Sequence, residues 1–226
     1  MNLPISSHTF LNDWDNCPHK AFRKFIKKDL PKGPQTDAMK WGNEVHSAFE
    51  VRIKHGTAFP KEMEKYEKLA APLIAAGAEA EKALAIDRDG SPVDFWNKGA
   101  WLRGKLDAAM IRWDHQTGNH CAAIFDWKTG KRREDPTELK THAVLLRAMH
   151  PSLTKITACY VWLQDNEVGK PHDVTDTETH LAEIQKTMAT VENCLEIDNF
   201  PKRPNPLCGG HWGSCPVEDC EFRRGV

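Results

Sequence analysis

Asp126 and Lys128 stand two residues apart in Ile124-Phe125-Asp126-Trp127-Lys128-Thr129-Gly130. In an extended strand, residues i and i+2 leave on the same face, so a carboxylate and an ammonium emerge side by side. The segment HCAAIFDWKT is otherwise apolar and reads as a strand whose charged end is exposed. Asp107 follows Trp101, Arg103 and Lys105 along a preceding strand, and a turn at DHQTGN folds that strand back toward Asp126. Two carboxylates held together repel unless a cation lies between them, and oxygen ligands suit Mg²⁺ or Mn²⁺. A lysine beside them can orient a water or offset charge growing on a phosphate. The same spacing also fits a surface hairpin closed by an Asp126–Lys128 salt bridge, because D-x-K is a short motif.

A third element adds a different ligand type. WGNEVHSAFE places Gly42, His46 and Glu50 at four-residue steps on one helical stripe. Glycine there permits close approach, and His46 can offer a neutral imidazole to a metal. Taken alone, His46 is better read as a packed or surface histidine than as a ligand.

These residues need elements to hold them. Residues 6–28 read as a helix opening at Ser6 or Ser7 and broken near Pro18, followed by a turn-rich connector, KDLPKGPQTD. Helices are expected at about 38–54 and, alanine-rich and bent at Pro72, at about 61–82. The pattern then alternates in GAWLRGKLDAAMIRW, with Leu102, Leu106, Ala108 and Met110 on one face. The hairpin's second strand, 120–129, is apolar enough to be central. A helix at about 136–150, a strand at 156–163 and a helix at about 177–197 complete the order. The fold class is α/β, a small mixed sheet flanked by helices, with a cysteine-rich tail.

Together these motifs resemble the PD-(D/E)xK nuclease superfamily, in the RecB-type branch that includes phage exonucleases and CRISPR-associated adaptation nucleases. The resemblance rests on Gly42-x-x-x-His46, Arg103-Gly104-Lys105-Leu106-Asp107, Ile124 to Gly130, NCPHKAF near the start and LCGGHWGSCPVEDC near the end. It implies a restriction-endonuclease-like core. It also implies a divalent metal, Mg²⁺ or Mn²⁺, held by His46, Asp107, Asp126 and the backbone carbonyl of Trp127, with Lys128 supporting in-line hydrolysis of a phosphodiester. The family carries a glutamine on the helix after D-x-K. Here DPTELKTHAVLLRAMHP offers Glu138 or His142 at the two registers considered.

Relatives with an iron–sulfur cluster join one N-terminal cysteine to three C-terminal ones. Cys17 matches the first, and Cys208, Cys215 and Cys220 the others. Four thiolates suit a [4Fe–4S] cluster or tetrahedral Zn²⁺, with His211 as a substitute zinc ligand. The C-x₆-C-x₄-C spacing is wider than is common in cluster-bearing relatives. Cys121, Cys159 and Cys194 lack such spacing and read as small buried hydrophobes.

Composition bounds the rest. The 226 residues carry 31 basic and 32 acidic side chains, a net charge of -1 that does not itself advertise nucleic-acid binding. Basic clusters at 20–28, 128–133 and 202–203 are the sites where charge could be segregated. No stretch approaches the roughly 18–20 apolar residues of a membrane span, and MNLPISSHTFLNDWDNC lacks a signal peptide's basic start and apolar run. The expectation is a cytoplasmic protein without a membrane partner; the family resemblance adds an origin in a phage acting in a bacterial host. Of eight tryptophans, Trp14, Trp41 and Trp162 read as core, and Trp101 and Trp127 as candidates for base stacking. Thr129-Gly130-Lys131 lacks the upstream glycine of a P-loop.

The sequence thus supports a single domain over 1–226. Residues 1–37 carry Cys17, residues 38–165 form the catalytic core, and residues 166–226 hold the last helix and the tail. The resemblance, and no single residue, implies DNA cleavage from an end. The rivals are a structure-specific or nicking endonuclease and a non-catalytic DNA-binding or assembly module on the same fold.

Overall fold

A computed structural model describes residues 3–31, 33, 35–209 and 215–223. The chain divides into two compact units, Gln35–Leu181 and the combination of Met1–Pro34 with Ala182–Val226.

The first of these units is built on a seven-stranded sheet. Its strands are β1 (Glu79–Ile86), β2 (Pro92–Val93), β3 (Leu102–Asp114), β4 (Asn119–Lys128), β5 (Lys155–Trp162), β6 (Glu167–Val168) and β7 (His172–Asp173). The order is β2-β1-β3-β4-β5-β6, with β7 also on β5. Pairing is antiparallel except between β4 and β5, which run parallel. That parallel step needs a crossover, supplied by helix α5 (Thr137–Met149). β4 is central as its composition requires, with Ile124 fully buried.

Helix α3 (Asp37–His55) starts where Thr36 accepts from the backbone of Met39, and ends at Gly56, whose φ of 70° no β-carbon would tolerate easily. Its buried residues Val45 and Phe49 pack with Phe59, Tyr66, Leu69, Trp127 and Val161 in one apolar cluster. Phe49 stacks on Trp127 with ring centroids 4.5 Å apart. Trp127 is therefore core, 2% exposed, and Trp101 is buried too. Neither can serve as the base-stacking surface expected from its place beside the motif.

The expected helix over 61–82 divides. A 3-10 turn, Lys61–Tyr66, leads into α4 (Glu67–Ala75), and the chain reverses at Gly77, with φ of 72°. The residues beyond, EAEKALAI, become β1. They contain good helix formers, but pairing with β3 from Glu79↔Ala109 to Ile86↔Leu102 overrides that preference.

In the other unit, α1 (His8–Asn16) is capped by the Ser7 hydroxyl, which accepts from Phe10 N at 3.3 Å. As the proline predicts, the helix breaks at Cys17 and resumes as α2 (Pro18–Ala21), then a π-helical turn, Phe22–Lys27. The buried carboxylate of Asp13 takes Lys20 and Lys24 at 2.6 Å each, and Arg23 pairs with Asp29 and Asp219. The basic cluster at 20–28 is thus largely spent on internal ion pairs and is not an open phosphate-binding patch. The last helix, α6 (Thr177–Glu196), contains the boundary between the units. His211 and the rest of 210–214 lie outside the described residues.

Candidate metal and active site

Asp107, Asp126 and Lys128 all belong to the β3–β4 hairpin, whose ladder ends at Ala108↔Phe125. One residue further on, Asp107 Oδ2 accepts the backbone N–H of Trp127 at 2.7 Å. Asp107 Oδ1 faces His46 Nδ1 at 3.1 Å. α3 can approach this closely because residue 42 is glycine: a β-carbon there would meet Thr129 Oγ1 at 3.3 Å. The helix, the hairpin and its terminal motif thus converge through the residues that suggested them.

Asp126 is 3% exposed, so the strand end that read as open to solvent is buried. Covering helix α5 explains this. Gly104 lets α5 lie close on β3, since a β-carbon there would sit 3.0 Å from Leu145 Cδ1 and 3.5 Å from His142 Cδ2. Lys128 Nζ lies 2.6 Å from Asp126 Oδ2 and 2.6 Å from Glu138 Oε2. It also sits 5.4 Å over the ring of Tyr160, a residue whose contribution was not visible in the sequence. Both registers considered for the missing glutamine point inward: ligand atoms of Asp126, Glu138 and His142 lie within 4.8 Å of one another.

A second group with mutual separations under 4.8 Å is His46, Glu81 and Asp107. The set expected from sequence, His46 with Asp107 and Asp126, therefore straddles two groups, and Glu81 is an addition. Sequence reasoning missed it because residue 81 fell inside a segment read as helix. Pairing of Ala80 with Ala108 and Lys82 with Leu106 puts Glu81 opposite Asp107. Its φ of 48° is a left-handed conformation that costs a β-strand glutamate about 1 kcal/mol. A strained carboxylate facing another carboxylate is unfavourable without a cation.

Electrostatics state the same demand. Burial, reinforced by the charge of Asp107, pushes Asp126 up to about 8, although Lys128 opposes the shift. Burial and then Asp107 also raise Glu81. Burial lowers His46, but its contact with Asp107 and the nearby carboxylate charges outweigh that and raise it. Buried carboxylates with raised affinity for protons, next to an imidazole, form a donor set that fits a divalent cation in place of those protons.

A pH dependence follows. A cation needs Asp126 ionised and His46 neutral, so binding at pH 7 is expected to release protons. Affinity for Mn²⁺ should rise roughly tenfold per pH unit below about 8. Calorimetric titrations in buffers of different ionisation enthalpy measure this. Binding without proton release between pH 6 and 7.5 would contradict the assignment.

The cysteines have a separate setting. Cys17, Cys208, Cys215 and Cys220 all line one small cavity in the unit formed by the two chain ends. All are half-buried, and Asn205 N donates to Cys208 Sγ at 3.4 Å. Of the remaining three, Cys159 is buried as expected, whereas Cys121 and Cys194 are only half-buried.

Comparison with known proteins assigns the class. A family model of the PD-(D/E)XK nuclease superfamily matches residues 6–224. The chain belongs to that superfamily. Its class is therefore nuclease, acting on nucleic acid with divalent metal. Solved structures similar in fold include a candidate exonuclease from Eubacterium rectale, 14% identical, with a TM-score of 0.55 over 89% of this chain and 85% of that one. A second structure, SSO0001, aligns at 12% identity with a TM-score of 0.44 over 100% of this chain and 89% of that one, too low a score to bear on the fold. No curated protein matches significantly. No helix among the described residues is long and apolar enough to cross a membrane.

Proposed function

We propose that the protein is a deoxyribonuclease that hydrolyses DNA from an end. In this reading Asp107 and Asp126 hold the divalent cation, with His46 and the Trp127 carbonyl completing its ligands. The observation that supports the nuclease site is the junction at Asp107, which touches His46 on one side and the backbone of the Asp126-x-Lys128 motif on the other; the preference for ends rests on the family resemblance. A bound divalent ion supplies Lewis acidity and acidifies water near a phosphodiester. Asp107 and His46 orient one another, and Glu81 adds a further carboxylate to that side. Lys128, held between Asp126 and Glu138 and raised in pKa by both, stays protonated and offers a fixed positive charge to a phosphate. Glu138 therefore acts as a positioning group for Lys128 in place of the family's glutamine. His142, beside Gly104, braces the same corner.

The four cysteines are read as ligands of a second, structural centre. Cavity, burial and the N–H···S contact all suit thiolates. The donor set suits a [4Fe–4S] cluster, with tetrahedral Zn²⁺ as the alternative.

End preference is tested with linear DNA and a covalently closed circle of the same sequence, in Mn²⁺ or Mg²⁺. Progressive loss of the linear form with an intact circle is expected. Linearisation or nicking of the circle at a comparable rate would replace the proposal with an endonuclease.

A further inference from the structure

Trp96 is 76% exposed, and no large hydrophobic among the described residues is more open. Single exposed apolar residues are ordinary on protein surfaces, so exposure alone says little. Three further observations set this one apart.

First, the turn that carries it is fixed. Trp96 N donates to Asp94 Oδ1 at 2.8 Å, Asn97 N to Asp94 O at 3.0 Å, and Gly99 N to Asn97 Oδ1 at 2.7 Å. The Asp94 carboxylate, the acidic group nearest in sequence, is thus occupied in holding the turn. Second, the ring is braced and charged on one side. Phe95 meets it edge-on at 5.0 Å, and the Arg103 guanidinium lies 5.2 Å from the Phe95 centroid and 5.5 Å from that of Trp96. An arginine packed beside an open aromatic ring is the arrangement on which unpaired bases stack. Third, the pair is in line with the candidate active site. Arg103, Lys105 and Asp107 alternate along β3, and Lys105 lines the open cleft that also contains His46, Glu81 and Asp107. At about 3.3 Å per residue, Arg103 stands roughly 13 Å along the strand from Asp107, a span of about 3–4 stacked nucleotides.

We propose that Trp96, Phe95 and Arg103 form a platform on which bases of an unpaired DNA strand stack, with Lys105 guiding the adjoining backbone toward Asp107. Bases inside a duplex already stack on their neighbours and gain nothing from the platform. The site therefore selects single strands or unpaired ends. This inference rests on the deoxyribonuclease reading for its ligand, but its test does not depend on cleavage.

The experiment measures binding of fluorescein-labelled oligothymidylate and of a blunt DNA hairpin by anisotropy, in EDTA. Trp96→Ala is expected to weaken oligothymidylate binding about tenfold or more, the loss of one stacked base. Trp96→Phe should keep most of the affinity, and the hairpin should bind within about twofold of wild type. Thermal melts confirm that each variant is folded. Unchanged oligothymidylate affinity in Trp96→Ala overturns the proposal, as does an equal loss on the hairpin, which would mean a general electrostatic surface. If the wild type binds the strand but never cuts DNA, the deoxyribonuclease reading fails while the platform stands.

Discussion

Asp126→Asn is expected to raise the thermal stability of the metal-free protein while lowering DNA cleavage by about a thousandfold or more. Burial and Asp107 raise the folded-state pKa of Asp126 to about 8, far above the roughly 3.9 of an unfolded chain. A raised acid pKa contributes stability fully present below the unfolded value and lost as pH rises through the folded one. In EDTA the wild type should therefore lose stability between about pH 4 and pH 8. The amide carries no charge to bury, and Lys128 retains Glu138 as its partner. At pH 8 the gain should reach about 2 kcal/mol, a shift in Tm on the order of 5 °C. Addition of Mn²⁺ should reverse the ranking, because only the wild type offers the buried carboxylate. Lys128→Ala should also abolish cleavage, with much less effect on Mn²⁺ affinity. A folded Asp126→Asn protein with full activity, or one stabilised by Mn²⁺ as strongly as wild type, would refute the assignment.

The second large effect is expected at the other unit. If Cys17, Cys208, Cys215 and Cys220 hold one centre, they close a loop of almost the whole chain, and such a restraint is worth about 4–5 kcal/mol on chain-entropy grounds. Cys17→Ala or Cys220→Ala should lower Tm by on the order of 10 °C. Amide exchange should show protection lost together from α1 through the π-helical turn and from residues 200–209 and 215–223. The β3–β4 hairpin, with its own buried apolar residues, should stay protected. Anaerobically purified protein should be brown if the centre is iron–sulfur, and colourless with about one equivalent of zinc if it is not. Rapid alkylation of all four thiols in the native protein would contradict both forms.

What could be read from sequence was whatever depended on local spacing. The Asp126-x-Lys128 motif, the turn at 114–119, the break before Pro18 and the helix bearing His46 all follow from periodicity or from single residues that stop an element. The losses share another cause. β1 is strand only because β3 is beside it, so Glu81 was hidden in a segment rich in helix formers. Asp126 read as exposed because the approach of α5 depends on Gly104, whose spatial neighbours the chain order does not reveal. The tryptophans inverted for the same reason. Trp127 beside the motif is packed on Phe49, whereas Trp96, unremarked in its loop, is open.

The basic clusters show why net charge was a poor guide. Arg132 pairs with Asp165 and Glu167, and Lys202 with Glu221, just as Lys20 and Lys24 pair with Asp13. Near the candidate site the cations that could meet a phosphate are few: Arg103 packs on Phe95 and Trp96, Lys105 lies 4.0 Å from Glu81, and Lys128 is held between Asp126 and Glu138. Selectivity then rests on placement of a few cations and one ring, not on a broad positive surface.

The most direct test of the central claim is release of acid-soluble nucleotides from linear DNA by the purified protein in Mn²⁺, in Mg²⁺ and in EDTA. The account predicts release with either metal, none in EDTA, and none from Asp126→Asn under any condition. Binding of DNA without release in either metal would contradict it and leave a non-catalytic module on a nuclease fold.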